Sequence, residues 1–262
     1  EEKISFIYFF KNKKKKKEKR GLIVIIWEDE AIILSSVNYS ETSLILKVFT
    51  KKYGVQKGFI KGAKSKKKCN IYDTGNYVSI SYKARTEDML GTFTVDLMKA
   101  YPLIYLKDLK RFSCVISIIN LLEFCLLENE VENELYIYTN SLIHKIFTFE
   151  EEWIEEYIRW EVFLLKKVGF GLELSKCVVS NKKENLKYIS PKSGCAVNAQ
   201  EGKKWENKLL KLPRFLISQD KASKGQLIDG FRITTTFLRK FSNSINKTLP
   251  FTRSNFIDNI LN

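Results

Sequence analysis

Hydrophobic and polar residues alternate with a period of two over much of residues 27–101. Five segments here are rich in β-branched and aromatic residues, and residues typical of turns separate them. The predicted strands are 31–37, 43–50, 55–63, 77–85 and 91–101. Five short strands with a longer connection between the third and the fourth predict a small closed barrel of the OB type. A sandwich of three strands and two strands would give the same pattern.

From Pro102 onward apolar residues recur at steps of three and four, the spacing of an amphipathic helix. Ser223 and Gln226 stand at the spacing of a capping box before the last long segment. The predicted helices are 106–127, 131–149, 151–168, 205–218 and 223–247. Between the third and the fourth, residues 174–202 form an irregular insert.

These patterns predict an α+β fold, in which a five-stranded OB-type barrel precedes a helical domain with a loop-rich insert. The barrel is assigned to residues 27–103, the helical domain to 104–262 and the insert to about 174–202. Residues 1–26 hold nine cations and three anions. They are predicted to be an atypical, disordered basic leader.

Composition indicates a folded protein with a polyanionic partner. The 262 residues are 44% apolar and 13% aromatic, with a formal charge of +15 and a sequence pI of about 9.4. Such an excess favours nucleic acids or anionic surfaces as partners. Residues 41–68 hold nine lysines and one glutamate. A lysine run is usually a solvated loop, but its position on a predicted barrel favours binding to a nucleic-acid backbone.

The candidate DNA-binding residues lie on the predicted strands and their connections. They are Lys47, Lys51, Lys52, Lys57, Lys61, Lys64, Lys66, Lys67, Lys68, Lys83 and Arg85. Phe59 shares the strand parity of Lys57, and Tyr82 is next to Lys83, so either ring is a candidate platform for base stacking. For Phe59 a core position is favoured, because Gly58 and Gly62 permit a bulge that resets the parity.

A second, weaker basic stripe lies on the last predicted helix. Arg232 and Arg239 are seven residues apart and therefore share a face, and Lys240 follows directly. Packing against acidic helices explains this stripe as well as nucleic-acid binding does.

No catalytic constellation is present, and the sequence predicts a protein that is not an enzyme. It has no phosphate-binding P-loop and no G-x-G-x-x-G motif after a strand. Its one histidine, His144, lies on a predicted helix. Cys177 lacks the second thiol of a C-x-x-C, and Cys195 follows 18 positions later. Two thiols cannot complete a tetrahedral zinc site, so no metal and no cofactor is predicted.

The cysteines and the apolar segments indicate a cytoplasmic protein. Cys114 and Cys125 fall inside apolar helical patterns, where a free thiol packs as a small hydrophobic group. Reduced thiols are typical of the cytoplasm. No apolar segment approaches the roughly 18 residues that span a bilayer, so no membrane partner is expected.

Several segments together resemble the bacterial RecO family of recombination mediators. Residues 27–67 and 90–104 are similar to its amino-terminal OB domain, with WEDEAIILSSVNYSETSLILKVFT in the first segment and LGTFTVDLMKAYPLI as the second. YIRWEVFLLKKVGFGLELSKC (157–177) and YISPKSG (188–194) resemble its helical domain and insert. The resemblance covers about residues 27–250 and depends on the order of these segments.

The resemblance implies binding of single- and double-stranded DNA, annealing of complementary strands and help in loading RecA onto DNA coated by single-strand-binding protein. Implied partners are RecR and the C-terminal tail of that coating protein, in the RecF pathway, at the bacterial nucleoid. Some members carry a four-cysteine zinc module in the insert, of which only Cys177 is matched. Two alternatives remain open: an RNA-binding or ribosome-associated OB protein, and a non-catalytic interaction scaffold.

Overall fold

The structure is a computed structural model that describes residues 15–19, 22–63, 69–86, 89–101, 108–148 and 151–261. Its contacts divide the chain into two compact units. The first runs to Lys99 and also includes Glu128–Val131, and the second consists of Ala100–Leu127 and Glu132–Asn262.

The first unit is a six-stranded sheet that closes on itself. Its strands are β1 (Lys15–Lys19), β2 (Leu22–Asn38), β3 (Leu44–Thr50), β4 (Gly54–Ile60), β5 (Tyr77–Ala84) and β6 (Gly91–Lys99). The strand order is β1-β2-β3-β4-β6-β5, and β2 also pairs with β5. The predicted OB-type barrel is therefore confirmed. The sandwich alternative is wrong, because β2–β5 and the parallel β4–β6 pair join the two ends of the sheet.

Alternate residues of these strands fill the barrel interior. Trp27 is buried between two tyrosine rings, with centroids 4.3 Å from Tyr53 and 4.7 Å from Tyr82. Two glycines allow β4 and β6 to approach each other. A Cβ atom at Gly58 or at Gly91 would lie 2.3 Å from a ring carbon of the core. Closure of the barrel therefore depends on the absence of side chains at these two positions.

The barrel begins earlier than predicted. Lys15–Lys19 and the first residues of β2 lie inside the range assigned to a disordered leader. Ile25 is buried in the barrel core and is paired with Ala84 of β5. Core packing therefore holds the first part of β2 in place. The barrel starts before Trp27, the position at which it was predicted to begin. Residues 1–14 lie outside the described residues.

The second unit is mainly helical. Its helices are α1 (Leu109–Cys125), α2 (Asn133–Phe147), α3 (Trp153–Lys167), α4 (Ala199–Gly202), α5 (Lys224–Ser244) and α6 (Phe251–Leu261). The predicted helices at 106–127, 131–149, 151–168 and 223–247 correspond to α1, α2, α3 and α5. The capping box at Ser223 is formed. The Ser223 hydroxyl accepts the backbone N–H of Gln226, and the Gln226 side chain accepts the backbone N–H of Ser223. Helix α6 was not predicted.

The core of this unit surrounds Tyr157 and Trp160 on α3. The Tyr157 hydroxyl lies 2.7 Å from that of Ser117 and donates to Glu161 at 2.9 Å. The indole N–H of Trp160 donates to Thr139 at 2.9 Å. Each of these buried polar groups therefore has a partner, which burial requires. Cys114 and Cys125 are free thiols buried in α1, as predicted.

The insert contains a small sheet instead of loops alone. Its strands are β7 (Leu186–Ile189), β8 (Ala196–Asn198) and β9 (Leu210–Lys211), in the order β8-β7-β9. The insert therefore extends past residue 202, and the predicted helix at 205–218 is wrong. That stretch holds two 3₁₀ turns, Lys203–Lys208 and Arg214–Leu216, on either side of β9. Pro213 stops a helix there, because proline has no N–H to donate.

Among the described residues, no helix is long and apolar enough to cross a membrane.

Candidate nucleic-acid interface

The outer face of the barrel carries a group of side chains that the strand register brings together. Lys47 lies directly opposite Lys57 in the β3–β4 pair. Phe59 follows two residues later and lies opposite Thr92 of β6. Thr92 in turn lies opposite Lys83 of β5. Direct partners, and residues two apart on a strand, share one face of a sheet. These five side chains therefore form one surface, the outer-face cluster.

An aromatic pair lies within this surface. The ring of Phe59 meets the ring of Tyr39 edge to face, with centroids 5.2 Å apart. Tyr39 is 67% exposed, and Phe59 is partly exposed. The favoured core position of Phe59 is therefore wrong, because β4 pairs with β3 in continuous register and contains no bulge. The other candidate ring, Tyr82, belongs to the core and stacks on Trp27.

Tyr39, which lies directly after β2, was not among the residues that the sequence predicted for binding. An aromatic side chain in a turn was the available signal, since such a ring must either cover a neighbour or face solvent. Here it does both.

Lys57 is paired with a carboxylate of the same unit. Its ammonium lies 2.5 Å from Glu128 Oε1, and both side chains are close to half exposed. An ion pair of this exposure contributes roughly 0.2–1 kcal/mol. A phosphate can therefore replace Glu128 at small cost in free energy.

Lys51 and Lys52 lie away from the cluster, in the turn between β3 and β4. The Lys52 backbone N–H donates to Asp29 Oδ2 at 2.6 Å, and its ammonium is 4.0 Å from Oδ1. Glu28 and Glu30 line the same depression as these two lysines. Three carboxylates therefore offset the two ammonium groups, which places this turn outside the positive surface.

The remaining predicted residues lie toward the other end of β4. Lys61 is exposed in the turn after β4, and Arg85 is exposed just after β5. The Ala63 N–H donates to the Thr42 carbonyl at 2.8 Å, which fixes the start of the connection to residue 69. Lys64, Lys66, Lys67 and Lys68 lie outside the described residues.

Two family models match consecutive parts of the chain. Recombination protein O N terminal matches residues 24–101, and Recombination protein O C terminal matches residues 106–246. The chain belongs to the RecO family. The first match begins near the buried Ile25, which agrees with the earlier start of the barrel. Membership supports a role in DNA repair and recombination.

Curated relatives agree with this assignment over most of their length. A protein described as DNA repair protein RecO from Orientia tsutsugamushi (strain Ikeda) is 34% identical over 237 residues, which are 90% of this chain and 98% of the relative. The protein of the same description from Roseobacter denitrificans is 32% identical over 234 residues, 88% of this chain and 97% of the relative. That from Paracoccus denitrificans is 34% identical over 213 residues, or 81% and 86%.

The second basic stripe lies in the RecO C-terminal region, and its three residues have different environments. Arg232 is 3.8 Å from Asp229 on the same helix. The Lys240 ammonium donates to the carbonyls of Pro191 and Lys192 in the insert, so it serves to fix that turn. Arg239 is exposed and forms no ion pair among the described residues. Arg239 is therefore the clearest candidate for contact with an anion, and Arg232, whose exposed ion pair is weak, remains a second one.

The zinc module carried by some family members does not fit these residues. Cys177 Sγ accepts the N–H of Asn198 at 3.2 Å. Burial raises the pKa of this thiol, but hydrogen bonds from Ser180 and from the Asn198 N–H outweigh burial and lower it to about 7. Ser180 stands where a C-x-x-C would place its second thiol. The described residues contain no group of three His, Cys, Asp or Glu that could hold a metal.

Proposed function

We propose that this protein binds single- and double-stranded DNA on the outer-face cluster and anneals complementary strands. In the RecF pathway it then assists loading of RecA onto DNA coated by single-strand-binding protein. RecR and the C-terminal tail of the coating protein are its proposed partners. The observation that carries the proposal is the register that gathers Lys47, Lys57 and Lys83 around an exposed aromatic pair.

The chemistry of the cluster suits an unpaired strand. Ammonium groups that neutralise phosphates release condensed counterions, which gives affinity without reading sequence. An exposed ring stacks on any base, and such a contact contributes about 1–3 kcal/mol. Phe59 and Tyr39 supply that ring surface between the lysines. Annealing needs no catalytic residue, because base pairing drives the reaction once the cationic surface has lowered the repulsion between two strands.

The first experiment measures binding of a labelled oligothymidylate to the full chain over a range of salt concentrations. Lys47→Ala plus Lys83→Ala is expected to weaken binding and to reduce the salt slope by about 1.4, at about 0.7 for each lost single-strand phosphate contact. Phe59→Ala is expected to weaken binding by about 1–3 kcal/mol with little change in slope. Alanines at Lys64, Lys66, Lys67 and Lys68 are expected to flatten the slope as well.

Lys182→Ala plus Lys183→Ala, in the exposed part of the insert, removes the same charge and serves as the matched control. Equal effects of the control and of the barrel variants would contradict the assignment of the cluster. Annealing of two strands coated with single-strand-binding protein is measured on the same variants. Tighter binding of RNA than of DNA without annealing would favour the RNA-binding alternative, and an absent salt slope would favour a scaffold.

A further inference from the structure

The C-terminal end of α5 and the N-terminal end of α6 enclose a cavity of about 440 Å³ within the helical unit. Its lining is rich in hydrogen-bonding and cationic side chains. These include Arg239, Ser242, Asn243, Lys247, Thr248 and Ser254. The outer-face cluster belongs to the other unit, so this cavity is a separate place on the molecule.

The chain turn after α5 builds the cavity. Asn246 adopts a left-handed conformation with φ 52°, which asparagine tolerates better than most residues. The Lys247 N–H then donates to the Ser242 carbonyl at 3.1 Å, and the Ser242 hydroxyl donates to the Lys247 carbonyl. These bonds fix Lys247 on the same cavity as Arg239, eight residues earlier. The backbone of this turn therefore brings both cationic residues to the lining of one cavity.

The cavity has an excess of positive charge. Arg239 and Lys247 are exposed, and neither forms an ion pair among the described residues. The described residues that line the cavity include no carboxylate. A third cation, Arg253, is only 4% exposed and is compensated by Glu161, with N–O distances of 2.5 and 2.9 Å. Arg253 thus shapes the cavity, while Arg239 and Lys247 supply its charge.

Two further features indicate what kind of anion fits. The Asn243 amide and the Thr248 hydroxyl line the cavity and offer donors to oxygens of one oxyanion. Phe251, next to the cavity-lining Pro250, is 75% exposed. An exposed ring beside an oxyanion site suits an unpaired nucleotide, whose base stacks while its phosphate is held. A purely acidic peptide would leave that ring unused.

We propose that this cavity binds a backbone phosphate of single-stranded DNA between Arg239 and Lys247, with a neighbouring base stacked on Phe251. The site rests on the proposed DNA-binding function and adds a second contact point in the helical unit.

The test uses the full chain with two labelled probes, an oligothymidylate and an abasic strand of equal length. Arg239→Ala plus Lys247→Ala is expected to weaken both probes and to lower the salt slope by about 0.7, the value for one lost single-strand phosphate contact. Phe251→Ala is expected to weaken the oligothymidylate by roughly fivefold or more and to leave the abasic strand unchanged. Phe251→Trp is expected to retain affinity. Lys182→Ala plus Lys183→Ala is again the charge-matched control.

The outcomes separate this inference from the proposed function. If Lys47→Ala plus Lys83→Ala weakens DNA binding while the cavity variants behave like the control, the cavity proposal is overturned and the barrel proposal stands. If the unmodified chain does not bind either probe, both are overturned. Binding of an oligoglutamate peptide that depends on Arg239 and Lys247, without any effect on the DNA probes, would assign the cavity to acidic peptides and reject the nucleotide.

Discussion

Asp29 is a carboxylate placed inside the barrel wall. Its side chain is 2% exposed and accepts the Lys52 N–H at 2.6 Å. Burial raises the pKa of Asp29, and hydrogen bonds from the backbone N–H groups of Lys52 and Glu30, together with the Lys52 ammonium, only partly offset this. The folded barrel therefore binds this proton more tightly than the unfolded chain does. It follows that ionisation of Asp29 destabilises the barrel.

The pH dependence of stability tests this residue. Since the folded pKa lies above the unfolded value, the stabilisation by the bound proton is complete below about pH 4 and is lost as pH rises through the folded pKa. Asp29→Asn keeps an acceptor for the Lys52 N–H but cannot ionise. Its free energy of unfolding, relative to the unmodified chain, is expected to increase from about pH 4 to pH 7.

Urea unfolding gives the measurement, and hydrogen exchange of the β2 amides assigns the transition to the barrel. Asp96→Asn removes an exposed carboxylate from the same barrel and controls for the change in net charge. A constant difference between Asp29→Asn and the unmodified chain across this pH range would refute the argument.

At the residue scale the sequence predicts which side chains are charged better than it predicts the direction in which a side chain points. Lysines on β3, β4 and β5 were recognisable as a group. The negative charges beside two of the candidate lysines could not be predicted, because Asp29 near Lys52 and Glu128 beside Lys57 are distant in sequence. Whether Phe59 faces outward depends on the absence of a bulge, which neighbouring glycines cannot decide alone.

At the element scale, Glu128–Val131 extends the sheet beside β4 although it lies between two helices in sequence. Glu128 forms a parallel bridge with Val55, and the Asn129 N–H donates to the Val55 carbonyl at 2.9 Å. The Gln56 amide donates to Asn129 Oδ1 at 3.0 Å. Glu130 passes directly over Gly54. This docking also carries Glu128 to Lys57.

Gly54→Ala is expected to disturb this docking. Gly54 has φ +68°, and a Cβ atom there would lie 1.8 Å from the Glu130 carbonyl oxygen. We expect a loss of more than about 2 kcal/mol, from the left-handed conformation and the clash together. Gly62→Ala is the matched control, because Gly62 has φ +65° and nothing within 4 Å of its Cβ position. Its loss is expected to be about 1 kcal/mol. Guanidinium unfolding measures both, and equal losses would argue against a steric role for Glu130.

The sequence also predicts the long elements better than the short ones. Helices α1, α2, α3 and α5 have enough turns for a clear period, whereas the apolar residues at 205–218 belong to a strand and two 3₁₀ turns. Parallel pairing of β4 with β6 involves only Gly58–Gly91 and Phe59–Thr92. Such a contact between distant segments has no local signature.

At the scale of the whole molecule the charge of +15 affects folding and binding in opposite ways. Repulsion among the cations destabilises the compact chain, and the same cations attract a polyanion. Salt weakens both interactions by screening. The two effects can therefore be measured in one series of buffers.

Raising NaCl from about 0.05 M to about 0.2 M is expected to increase the melting temperature of the free protein by roughly 2–4 °C for each kcal/mol of repulsion that is screened. Over the same range the affinity for DNA is expected to fall. Sucrose, which raises stability without screening charge, is the control and is not expected to weaken DNA binding. Parallel changes of both quantities with salt would contradict this account.

The closed barrel has an implication for how this surface tolerates insertions. Strand β3 is paired with β2 on one side and with β4 on the other, so the register of β4 is fixed. One residue added in the middle of β4 would exchange the two sides of the strand beyond it. Lys57 would then point toward the barrel interior, on the side of the strand that Gly58 and Ile60 occupy. The outer-face cluster and the fold would therefore be lost together, and we expect the length of these strands to change only in steps of two residues.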